Sequence, residues 1–236
     1  MFTLRKIKEH LSKSSKISRD TAILTSKRVT EILRKEKAKV AIVARVGIPE
    51  KKLPEDVKYT HVAFWIWKEK DNNYFVQDYI VSEEDKLKSC IKETKECDFF
   101  LDAYSSRAGI IIPKDLLQEK LLSILSTEKY LPFHNENYSL VAKPDSKRYQ
   151  NCTGFLLKII IGCIYETDNI DDIDSIIRRD FHPTIINMGA VKKFVLYLTR
   201  SDFHYHEHQD AIMTTTFTSV STYMAGNLLS VSEYHI

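Results

Sequence analysis

Cys152 and His61 are the two side chains of this 236-residue chain whose types and settings can do chemistry together. Cys152 follows polar Gln150 and Asn151, and after Thr153 and Gly154 a long apolar run begins. Within that run Phe155, Leu156, Ile159, Ile160 and Cys163 recur at the period of one helix face, so Cys152 is expected in the first turn of a helix. A thiol there feels the positive end of the backbone dipole, which favours thiolate and lowers its pKa. The same register also suits a plain core residue, because free cysteine packs as a small hydrophobe. A base within reach separates the two readings. His61 stands at the start of residues 59–67, the strongest strand pattern in the chain, where a strand start beside a core helix can present an imidazole to a thiol. Such a base is in turn oriented by a third group. Gln77 and Asp78 lie in the next strand pattern, residues 74–80; alternation puts one of them on the face His61 presents, and the sequence leaves open which. A polar residue inside an aromatic strand needs a partner when buried, which suits the orienting role.

The elements that must position these groups follow from periodicity and punctuation. Residues 1–16 are rich in Lys and Ser and read as a flexible basic arm, with residues 17–236 forming one domain. Ser18 or Asp20 caps a helix over 21–35, striped by Ile23, Leu24, Val29, Ile32 and Leu33 and basic on its other face. Residues 39–45 read as a buried strand ended by Gly47 and Pro49, and 59–67 and 74–80 as a hairpin. Residues 83–100 read as irregular or helical, 107–113 as a strand, 114–125 as an amphipathic helix and 138–142 as a short extended piece. After the Cys152 helix, 169–174 opens a short acidic helix. Residues 191–199 and 211–223 read as a terminal strand pair joined by a hairpin that carries His204, His206 and His208 with exposed imidazoles.

Composition bounds the remaining function classes. At 43% hydrophobic and 28% charged residues this is an ordinary globular composition, and a formal charge of +3 with the excess near the N-terminus argues against nucleic acid. No apolar run reaches the ~18–20 residues of a membrane span. No secretory signal is visible, so the expected location is cytoplasmic, or outside the cell as an effector exported without a signal peptide. The four cysteines form neither a CxxC pair nor a zinc spacing, and Cys152 and Cys163 would lie roughly 16 Å apart along a helix, too far for a disulfide. Cys90 and Cys97 have no comparable helix start. Six glycines and no phosphate-loop motif leave no cradle for a nucleotide. The acidic 169–174 segment lacks the glycine turn and closing Glu of an EF-hand, and the three histidines lack a distant ligand cluster, so no metal and no cofactor is expected.

Several short marks occur in order along the chain: ARVG at 44–47, YTHVA at 59–63, DFF at 98–100, YSLVA at 138–142, RYQNC at 148–152, FHPT at 181–184 and a last strand before Ser219. On these the chain resembles a bacterial family, the domain of unknown function numbered two-one-four-five, across roughly residues 20–225. A histidine strand followed by a cysteine helix is also the order of circularly permuted relatives of the NlpC-type, papain-like hydrolases. That resemblance implies an α+β fold in which a small antiparallel sheet packs on a central nucleophile-bearing helix, with an N-terminal helix. It implies Cys152 as nucleophile, His61 as general base and Gln77 or Asp78 as the orienting group. Helix N-terminal amides, with Gln150 or Asn151, would hold an oxyanion, and Gly154 would allow close approach. Relatives often carry Ser at the cysteine position, and Thr153 and Gly154 replace a bulkier polar pair. The implied activity is hydrolysis or acyl transfer at an amide or ester, of protease, amidase or glutamine-deamidase type, on a protein or peptide. The alternative is a non-catalytic module that keeps the fold and recognises a protein partner.

Overall fold

The computed structural model describes residues 15–55, 57–187, 189, 200–209 and 211–236. Most of the basic arm and the strand read at 191–199 therefore lie outside the described residues.

The frame is an α+β arrangement around a six-stranded antiparallel sheet that runs, edge to edge, through β4 (Ser89–Lys95), β3 (Asn73–Val81), β2 (His61–Lys68), β1 (Val40–Arg45), β5 (Ala108–Pro113) and β8 (Ser230–His235). Its centre is β1 (Val40–Arg45), paired with β2 (His61–Lys68) on one side and β5 (Ala108–Pro113) on the other. These strands are apolar on both faces, the pattern of a sheet covered on both sides. The hairpin from β2 into β3 (Asn73–Val81) turns at Asn72, whose φ of 48° is a left-handed conformation that Asn tolerates. On one side, Ala41, Val43, Ala63 and Trp65 pack with helix α1 (Arg19–Lys35) and with Phe99 and Phe100. Ser18 caps α1 by accepting from the Thr21 N–H. On the other side, Val40, Ile42, Val62 and Phe64 pack with α2 (Asp115–Leu125), α3 (Cys152–Tyr165) and α4 (Ile170–Asp180). Every residue of α3 from Cys152 to Cys163 is buried, so this helix is the central support of that layer.

Five expectations are corrected. Residues read as irregular or helical at 83–100 contain β4 (Ser89–Lys95), an edge strand on β3. Its charges, Lys92, Glu93 and Lys95, hide the strand pattern and also blunt the open edge. The strand read at 211–223 stops early. Ile212–Thr214 form β7, paired with β6 (Thr184–Ile186), and Thr216 then caps α5 (Phe217–Gly226) in a reciprocal capping box with Ser219. A last strand, β8 (Ser230–His235), adds to β5 where none was expected. The histidine segment is a run of turns in which His208 is buried: its Nε2 donates to the Val141 carbonyl at 2.7 Å and its Nδ1 accepts from the Met213 N–H. No group of ligands that could hold a metal occurs among the described residues. Residues 138–142, read as a short extended piece, make one bridge, Tyr138 to Gln150, and then a turn.

Candidate active site

The site is built where the N-terminus of α3 meets the first residue of β2. Asn151 is the N-cap: its Oδ1 accepts from the Gly154 N–H at 2.7 Å, and its Nδ2 donates to the Leu140 carbonyl and to Thr214 Oγ1. The cap fixes Cys152 at the first helical position, 5% exposed. Its thiol lies close enough to His61 and to the Val62 N–H for both to act on its charge.

His61 is held from the other side. Its Nε2 lies 2.6 Å from Asp78 Oδ1, with the two side chains 13% and 10% exposed. Pairing of Phe64 with Gln77 puts Gln77 on the face of Phe64, and Asp78 on the face of Ala63 and His61. The choice left open by the sequence thus falls on Asp78. Gln77 is buried with its Oε1 unpartnered among the described residues. With Nε2 committed to the carboxylate, Nδ1 is the ring nitrogen left to face sulfur.

The electrostatics follow from this line of three groups. Burial works against the His61 cation, but the negative charges of Asp78 and Cys152 and hydrogen bonds to both outweigh it, raising His61 to about 9. Burial likewise pushes the Cys152 thiol up, yet the His61 cation and hydrogen bonds from His61 and Val62 bring it below its ordinary value. The pair is therefore favoured as thiolate beside imidazolium between the lowered range of the thiol and about pH 9. The other cysteines go the opposite way: burial pushes Cys163 up to about 12 and raises Cys90 and Cys97.

The remaining residues singled out from sequence sit close by but are engaged in the fold. Gln150 donates to the Phe133 carbonyl and accepts from the Asn135 N–H, which fixes the approach to Cys152 and ties its amide into the fold. The Asn151 amide is used in capping. Gly154 faces that cap, because a Cβ there would stand 3.1 Å from Asn151 Oδ1. The groups free to meet a developing oxyanion are instead the N–H of Cys152 and of Thr153, which have no acceptor among the described residues. Arg45 was missed: it pairs with His61 across β1 and β2, and its guanidinium lies over the Phe99 ring at 5.4 Å. Burial lowers its pKa, while Asp78, Asp102 and Cys152 oppose that. A charged residue ending an otherwise apolar strand was the available signal.

His61 and Cys152 both line a cavity of about 690 Å³, walled by the loop after β1, the 138–141 turn, Phe203 and the β7–α5 junction. Fold and site together define an α+β protein with a paired thiol and imidazole facing an apolar cavity. Within that class the chain belongs to the family described as "Uncharacterized protein conserved in bacteria (DUF2145)", whose model matches residues 32–224. No curated protein and no solved structure matches the chain. Among the described residues no helix is long and apolar enough to cross a membrane.

Proposed function

We propose that the protein is a cysteine hydrolase or acyltransferase of the permuted papain-like kind, acting on an amide or ester bond. The observation that carries this reading is the unbroken line Cys152–His61–Asp78, with both reacting side chains lining one cavity. The order of the parts, a histidine strand early and a cysteine helix late, agrees with a permuted arrangement. In this reading the Cys152 thiolate attacks the carbonyl carbon, and the N–H groups of Cys152 and Thr153 hold the oxyanion. The His61 imidazolium protonates the leaving group. Water, or an accepting amine or alcohol, then gives its proton to His61 and releases the acyl group. Asp78 keeps the ring oriented and its cation stabilised throughout. Access from the cavity to both side chains favours chemistry over a purely recognising module.

The test is acyl-enzyme trapping. The full chain is incubated with p-nitrophenyl acetate, quenched in acid and weighed by mass spectrometry. One acetyl group on Cys152, absent in Cys152→Ala and strongly reduced in His61→Ala, is the expected result. Acetylation spread over lysines, or equal in His61→Ala, would remove the support for a nucleophile.

A further inference from the structure

The cavity beside Cys152 has a chemical character of its own. Ile48, Val57, Leu140, Val141, Phe203 and Ile212 form its apolar walls. At about 690 Å³ it is far larger than one amino-acid side chain needs and falls within the ~300–1,000 Å³ of pockets that enclose whole ligands. Polar side chains also line it, but five of them are spent on the fold. Thr60 Oγ1 accepts from the Gly47 N–H, Thr153 Oγ1 donates to the Thr215 carbonyl and Thr214 Oγ1 to that of Ala142. Tyr59 meets His235, and Asn151 caps α3. An entering peptide would bring a donor and an acceptor per residue into a space with few partners for them, at a cost for each group left unpaired. An aliphatic chain brings none.

The charges at the cavity point the same way. Lys51, Lys52 and Arg200 line it, and among the described residues no carboxylate does. Arg200 is paired with Asp202, whereas Lys51 and Lys52 are exposed and have no ion-pair partner among the described residues. Glu50 of the same turn is held away by Arg107.

We infer that the acyl group handled at Cys152 is a long aliphatic chain, carried as an ester or thioester on an anionic group. The inference rests on the thiol reading above and names its substrate class. The chain fills the apolar cavity, the scissile carbonyl lies at the thiolate, and the anionic group meets Lys51 and Lys52. The Cys152 sulfur forms a C–S bond to the acyl carbon as the bond to the leaving oxygen or sulfur breaks. The leaving group departs with the proton from His61. Water next gives a proton to His61 while its oxygen bonds the acyl carbon and the C–S bond breaks, yielding a free fatty acid and the restored thiolate–imidazolium pair.

The test uses the full chain with p-nitrophenyl esters from acetyl to dodecanoyl, reading kcat/KM and the adduct mass on Cys152. Expected is a rise of roughly three- to fourfold per added methylene until the cavity is full. Val57→Trp and Leu140→Trp, which fill the cavity, should flatten that profile. Lys51→Glu with Lys52→Glu, both on the surface, should cut turnover of anionic donors about tenfold or more relative to that of neutral esters. Phosphatidylglycerol vesicles and long-chain acyl-coenzyme A, compared directly, tell a lipid ester from a carrier thioester. A flat profile with acetylated Cys152 overturns the inference and leaves the thiol reading standing. No adduct from any ester, with iodoacetamide reactivity indifferent to His61, overturns both.

Discussion

Asp78 and Gln77 are neighbours in β3, yet the pleat gives them opposite duties. Asp78→Asn removes the carboxylate that supports the His61 cation, so His61 should fall back toward ~6.5 and Cys152 should lose its counter-charge. Alkylation of Cys152 at pH 6 is then expected to drop about tenfold or more, measured by iodoacetamide kinetics. Gln77→Leu should leave that profile unchanged. Because it replaces a buried acceptor without a partner, the unfolding free energy in urea should stay level or rise by about 1 kcal/mol. Turnover should be bell-shaped in pH. Its alkaline limb falls near 9, where the imidazolium is lost, and its acid limb lies below the ordinary thiol range.

Helix α3 was legible in sequence because its cap, its stripe and its thiol occur together in one short stretch. The elements missed had patterns that another constraint overrode. Charges on β4 belong to a sheet edge, and the β-branched run at Thr214–Thr216 serves first a strand and then the cap of α5. Strand β8 alternates between half-buried and exposed with no apolar face to announce it. The choice of Asp78 over Gln77 also needed the register of β2 on β3, which depends on pairing between strands and not on either strand alone. One packing detail within α3 can be tested by size. Gly162→Ala should gain ~1 kcal/mol in helix propensity, but its Cβ would stand 2.4 Å from Phe133 Cε1 and 2.8 Å from the Thr167 carbonyl. The backbone contact cannot swing away, so overpacking of ~1–3 kcal/mol should win and denaturation should show a net loss.

Across the whole molecule, the site is tied to the helical layer by a buried ion pair. Lys158, the residue that interrupts the apolar run of α3, lies 2.7 Å from Asp174 of α4, and both are buried. Lys158 also reaches the Ser146 carbonyl, in the segment leading to Cys152. Lys158→Ala should therefore cost ~3–5 kcal/mol by leaving Asp174 without its counter-charge, and Lys158→Met with Asp174→Leu should recover most of it in urea unfolding. Stability also carries the sign of the His61 shift. A raised folded-state pKa stabilises fully below the unfolded value of ~6.5, and that contribution is lost as pH rises through about 9.

The central claim is that His61 keeps Cys152 as a reactive thiolate. It is tested most directly by the pH dependence of iodoacetamide alkylation at Cys152, in the native sequence and in His61→Ala, with Cys90, Cys97 and Cys163 replaced by Ser. The account predicts reactivity that persists well below the free-thiol value of ~8.5 and moves up to or above that value when the imidazole is removed. An ordinary titration near ~8.5 in both proteins would contradict it.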